Sequence, residues 1–213
     1  MEIHAYSEDY LSYAQRIMGD MIDFAVNTYD IPIDRFFGMF LASDVSRQFQ
    51  NGNPTYVVGK TGCELTKIVL KDTGKEWKDR PDAMYLDKSP EYWCGWALAF
   101  YQWYTSRPFQ KIYNAVKPSV ILQMYPVYHE MDILHFVEQM NLLWNKYYTD
   151  TNLKRLRKTI GYSQRELSEV SQVPLRQIQL FEQRKRNINH CGALNLFRLS
   201  KALYCKVEDL LEI

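Results

Sequence analysis

His129 and His135, in the stretch HEMDILH, have the residue types for metal or acid–base chemistry. They stand six apart, whereas two histidines share a helical face for zinc at a step of four. Asp132 lies one turn from His135, but a carboxylate beside an imidazole without a nucleophile is an orienting pair and not a catalyst. Gly59-Lys60-Thr61 has the ending of a phosphate-binding loop, yet the first glycine of that motif falls on Pro54. Thr61-x-x-Glu64 has instead the spacing of a capping box, and the tripeptide reads as a helix start. Cys63, Cys94, Cys191 and Cys205 show neither C-x-x-C spacing nor a clustered framework, so they read as buried reduced thiols. These residues predict a protein that is not an enzyme and holds no metal or cofactor. A deep polar pocket would revive an enzymatic reading.

The most unusual stretch is EYWCGWALAFYQWY, residues 91–104. At helical spacing Trp93, Trp96, Phe100 and Trp103 share one face, which reads first as core packing and second as a groove for a partner protein or ligand. A chain of 213 residues with 46% hydrophobic and 15% aromatic content can build a real core in one large or two small domains. Its longest uncharged apolar run, 93–101, is far short of a bilayer span, and the start MEIHAYSEDY lacks a basic, apolar signal. A cytoplasmic protein with no membrane contact is expected. The net charge of +1 hides an asymmetry: from Thr151 onward 12 Lys and Arg stand against 6 acids, while the front carries 14 against 19. A basic third of net +6 suits a polyanion, and an acidic front does not.

The elements that position these residues read as helices throughout. Ser7 is placed to cap a first helix with Leu11, Ala14, Met18, Ile22 and Ala25 at steps of three and four. A second spans about 33–50 and stops at Asn51-Gly52-Asn53-Pro54. A third runs over 64–71 and ends near Gly74, before a charged loop at 75–88. Ser89, Pro90 and Glu91 begin a helix reaching Ser106. Pro108, Pro118 and Pro126 each mark a further start. The last leads to a helix over 129–148 with Ile133, Phe136, Met140, Leu143 and Trp144 on one face. Thr55–Val58 is the longest strand-like pattern. The chain is thus expected to be all-α, with residues 1–148 a helical domain for dimerisation or for binding a partner or ligand. The junction 147–151 holds no Gly, Ser or Pro and reads as a short connector.

Residues 149–213 divide into five short helical patterns. Leu153, Leu156 and Ile160 line the first, which stops at Gly161; Ser163 caps the second, with Leu167 and Val170 inward. Val173 plugs the turn, and Pro174 starts the third, whose Ile178 and Phe181 face the core. Leu196, Leu199 and Leu203 form the fourth, and 207–211 the fifth. The third helix then presents Leu175, Arg176, Gln177 and Gln179 outward, the face that a groove-reading helix needs.

LKRLRKTIGYSQRELSEVSQVPLRQIQLFEQRKRNI, followed by LFRLSKALYCKVEDLLE, resembles the lambda-repressor-like, Xre/Cro class of helix-turn-helix domains over about 152–212. The resemblance is carried by Ser163-Gln164 opening the second helix, Leu167 one turn on, Ile178 and Phe181-Glu182 in the third, and the terminal ALYCKVEDLL. It implies a five-helix domain that binds double-stranded DNA. Gln164 is implied to contact a phosphate and brace the start of the third helix, and Leu175, Arg176, Gln177 and Gln179 to face base edges. Arg176 suits guanine and the glutamines adenine. Arg184, Lys185, Arg186 and Asn187 are implied to hold phosphates, and Arg157 and Glu182 to form a structural ion pair. The chain departs from the family at Gln172, Arg184 and Tyr204, which stand where glycine is usual. A left-handed non-glycine residue costs roughly 1 kcal/mol.

The expected function is therefore that of a sequence-specific transcriptional regulator, a repressor acting as a homodimer on an operator. No C-terminal dimerisation domain is expected after the fifth helix, so the acidic front domain, with or without help from the fifth helix, is expected to make the dimer or to bind the partner that does. The alternative is an antitoxin-like interaction protein, whose residues 1–148 bind a toxin while the helix-turn-helix represses its own operon.

Overall fold

Side-chain caps fix the starts of several helices in this chain. The structure is a computed structural model that describes residues 4–74, 77–82 and 87–212, and these form helices and turns with no strand. The expected charged loop at 75–88 falls partly outside the described residues. The chain divides into two compact units, Met1–Asn145 and Lys146–Ile213, three residues ahead of the expected boundary.

The first unit holds α1 (Leu11–Asp23), α2 (Ile33–Ala42), α3 (Asp44–Gln50), α4 (Pro54–Val57), α5 (Gly62–Asp72), α6 (Pro90–Thr105), α7 (Phe109–Ala115) and α8 (Pro118–Tyr128). Helix α9 (Ile133–Tyr147) closes it. Thr61 and Glu64 form the reciprocal capping box of α5, and Ser89 Oγ accepts the Tyr92 amide at the start of α6, one residue before Pro90 enters the helix.

Helices α1 and α6 form the centre of this unit. Ala14, Ile17, Met18, Met21 and Ile22 of α1 are buried, and α1 crosses α6 at Gly95, while Cys94 donates Sγ–H to the Pro118 carbonyl of α8. The crossing is close: a methyl group on Gly95 would lie 2.4 Å from the Met18 carbonyl oxygen. Around this pair Phe109 makes ring contacts with Phe37, Phe40 and Phe49.

Several local expectations are corrected here. Ser7 precedes a 3-10 turn, Glu8–Tyr10, but its hydroxyl bonds Asp9 and caps no amide. Residues 33–50 form two helices, because Ser43 is extended (φ −86°, ψ 159°) and its Oγ donates back to the Phe40 carbonyl. Thr55–Val58 is no strand: Asn53 Oδ1 accepts the Thr55 amide and Pro54 sits at the first helical position, so α4 forms. Pro126 starts nothing. It lies in the last turn of α8, where its missing N–H forfeits a single helical hydrogen bond.

The second unit holds α10 (Asn152–Ile160), α11 (Gln164–Ser171), α12 (Leu175–Glu182) and α13 (Ala193–Ala202), with 3-10 turns at Ile188–His190 and Val207–Leu210. The segment expected as a fifth helix is the second of these turns. Thr151 caps α10, Gly161 ends it at φ +88°, and Ser163 with Glu166 makes the capping box of α11. Leu153, Leu167, Val173, Ile178, Leu199 and Leu210 form the core. Val170, expected inward, is 55% exposed. Ser171 takes the inward position at the i+4 step from Leu167, and its Oγ donates to the Leu167 carbonyl at 2.6 Å.

Candidate nucleic-acid interface and an aromatic cavity

Gln172 makes the link between α11 and α12 possible by adopting φ 54° and ψ 27°. Val173 then drops into the core, its amide donating to Ser171 Oγ and its carbonyl accepting Ser168 Oγ at 2.7 Å. Arg184 and Tyr204 are left-handed as well, at φ 54° and 49°. All three sites where the resemblance expects glycine thus have the backbone that glycine favours.

The inner end of α12 is locked by charge. Arg157 Nε donates to Glu182 Oε1 at 2.6 Å and its Nη2 to Oε2 at 2.8 Å, while Nη1 donates to the Tyr162 carbonyl. Gln164 Nε2 adds a fourth bond, to Glu182 Oε2 at 2.7 Å. The hydrogen bonds that Glu182 accepts hold the Arg157 guanidinium above its ordinary range. Three helices are joined at one buried carboxylate, and Gln164 reaches the last residue of α12 rather than its start, where the resemblance places its brace.

The outer face of α12 carries Arg176, which is exposed and has no hydrogen bond or ion pair among the described residues. Leu175, Gln177 and Gln179 are half-buried beside it. Gln177 is not wholly open, since its Oε1 accepts Asn195 Nδ2 at 3.2 Å. Asn195, in the first turn of α13, is a neighbour that no local pattern in the sequence announces.

The basic loop after α12 divides. Lys185, Arg186 and Asn187 are exposed, with Arg186 over the Phe181 ring and Asn187 Oδ1 accepting the Asn189 amide. Arg184 is turned inward. Its guanidinium donates to the carbonyls of Tyr148 (2.6 Å) and Thr149 (3.0 Å) and lies 3.7 Å from a Glu212 oxygen. Arg184 is therefore a tie within this unit rather than an open phosphate contact. Asp150 likewise holds Lys154 at 2.6 Å and Lys158 at 2.8 Å, and these bonds, Lys154 first, lower its pKa to about 2. Part of the basic surplus is spent inside the unit.

In the first unit the aromatic residues of α6 divide, and Tyr92 packs on Gly19 of α1. Trp93, Trp96 and Phe100 are half-buried, and Trp103 is buried. The structure splits the expected aromatic face into two groups. Trp103 stacks on His4 at 3.8 Å between ring centres and donates Nε1–H to the Tyr6 carbonyl, and Phe100 stacks on Tyr104. Trp103 is thus a packing residue and offers no partner surface. Trp93 and Trp96, by contrast, line a cavity of about 450 Å³ with Tyr92 of α6, Tyr125 and Tyr128 of α8, and Asp132 in the turn before α9. Trp93 meets the edges of Tyr125 and Phe136, which hold its indole in place. The cavity depends on residues more than 30 positions apart, so α6 alone could not reveal it.

The remaining chemical candidates are occupied. His129 donates Nδ1–H to the Tyr125 carbonyl, His135 faces Glu138 at 3.7 Å, and Asp132 Oδ1 accepts the Leu134 amide. His135 and Asp132 are thus engaged apart from each other. Thr61 and Glu64 cap α5, and Thr61 Oγ1 is bound by the Glu64 amide. Cys63, Cys94 and Cys191 are buried, Cys205 is half-buried, and burial pushes the Cys94 thiol far above its usual range. Among the described residues no group of three metal-ligating side chains occurs, and no helix is long and apolar enough to cross a membrane. Comparison with protein-family models, curated proteins and solved structures finds no match to this chain.

Proposed function

We propose that the chain is a sequence-specific DNA-binding regulator, with α12 as the reading helix in the major groove. The observation that carries this reading is the state of α12: its inner face and C-terminal end are fixed by Ile178, Phe181 and the Arg157–Glu182 pair, while the Arg176 guanidinium is left open. A guanidinium on a fixed helix is a preorganised fork for guanine O6 and N7. Gln179 lies beside it to contact a neighbouring base, and Lys185 and Arg186 supply phosphate contacts. Gln177 joins the readers if it exchanges Asn195 for a base edge. Arg184 is left out of the interface.

Two such helices, about 34 Å apart, are needed to grip half-sites one turn apart, so the protein is proposed to act as a homodimer and to repress by occupying an operator. Selection of duplexes from a random pool with the full chain tests this. Enrichment of a paired, inverted motif supports the reading. A pool that remains random at every salt concentration sinks it.

A further inference from the structure

We infer that the cavity between α6 and α8 is a binding site for a small quaternary ammonium ion. This rests on the first unit alone and is independent of DNA reading. Five aromatic rings, Tyr92, Trp93, Trp96, Tyr125 and Tyr128, line the space, and indole and phenol faces carry negative potential that attracts cations. The volume of about 450 Å³ lies in the range of small-molecule sites.

The charges point the same way. Lys88 reaches the cavity, but its ammonium is already held by Asp20 at 3.0 Å and sits 4.1 Å from the centre of the Tyr92 ring. That contact puts a cation on one of these rings in the folded protein. Asp132 supplies the opposite charge. One of its oxygens accepts the Leu134 amide, and no bond to the other occurs among the described residues. The lining therefore offers ring faces, three phenol hydroxyls and one exposed carboxylate oxygen, with the Lys88 ammonium neutralised by Asp20.

The predominance of ring faces in the lining selects the kind of cation. Ser89 Oγ is shared between the Asp23 carboxylate and the Tyr92 amide, and His129 Nδ1 is engaged by the Tyr125 carbonyl. A primary ammonium is strongly hydrated and gives up part of that hydration against a wall of ring faces. An alkylated ammonium has no N–H to satisfy and is held by ring faces and field alone.

The test is calorimetric titration of the full chain with choline and with its uncharged carbon isostere dimethylbutanol. Choline is expected to bind, the isostere at least about tenfold more weakly. Trp96→Leu and Asp132→Asn should each weaken choline about tenfold without lowering the melting transition. Asparagine can still accept the Leu134 amide, so Asp132→Asn remains decisive if Trp96→Leu fails to fold. Equal binding of the two probes, no binding of choline up to tens of millimolar, or wild-type affinity in Asp132→Asn would each overturn the inference.

Discussion

Replacing Tyr204 by glycine should stabilise the C-terminal unit, and the same change at Arg184 should weaken it. Tyr204 sits at φ 49°, where a non-glycine residue is strained by about 1–2 kcal/mol. The residue is 86% exposed, so little packing is lost on removal of its side chain. The extra freedom of glycine in the unfolded chain offsets about 0.4–1 kcal/mol of the relief, leaving a gain of about 0.5–1 kcal/mol. Arg184 has nearly the same backbone, φ 54°, and would gain the same relief. It would lose two charged hydrogen bonds to the Tyr148 and Thr149 carbonyls, and bonds of this kind contribute about 1.5–3 kcal/mol. Its side chain is 29% exposed, so the loss lies at the low end, yet it still exceeds the relief. Native-state hydrogen exchange on the full chain reads both effects at the core amides of Leu167 and Leu199. Tyr204→Gly should slow exchange about two- to fivefold, and Arg184→Gly should speed it. A shift of the same sign in both variants would refute the assignment of Arg184 as a tie and of Tyr204 as bare strain.

Glu182→Ala leaves Arg157 buried without its partner and should cost about 3–5 kcal/mol in denaturant unfolding, with the α12 amides losing protection first. Gly95→Ala puts a methyl group 2.4 Å from the Met18 carbonyl oxygen, so α1 and α6 must part. A loss of about 1–3 kcal/mol is expected, whereas Gly161→Ala should act only through its positive φ, since nothing lies within 4 Å of its added methyl. The Asp150 carboxyl titrates near 2 in the folded chain against an ordinary value of 3.8. Its contribution is full above pH 4 and is lost as pH falls toward 2, so Asp150→Asn should flatten the acid side of the stability profile in that window.

The parts of the fold legible in the sequence are those decided within one turn of chain. Thr61 with Glu64, Ser89 with Pro90, Ser163 with Glu166, and Gly161 each state a helix boundary through their own hydrogen bonds or backbone freedom. The burial of Leu167, Ile178, Phe181 and Leu199 follows from periodicity in the same way. What was not legible depends on distant partners or on single hydrogen bonds. Ser43 breaks a helix whose apolar period continues through it. Trp103 is covered by His4 and Tyr6, nearly 100 residues earlier, and the Trp93–Trp96 cavity needs α8 to close it. At the candidate interface, composition gives the basic surplus but not its use. Arg184 and Arg186 differ by two positions, and the carbonyls of Tyr148 and Thr149 with the Glu212 carboxylate make the first a tie.

The most direct measurement of the central proposal is fluorescence anisotropy of the full chain on its selected duplex and on a scrambled one, wild type beside Arg176→Ala, over a series of salt concentrations. Wild type should prefer the selected duplex and show a steep salt slope, and Arg176→Ala should lose about 1–3 kcal/mol of that preference while still binding the scrambled duplex. Equal preference in the two proteins would contradict α12 as the reader.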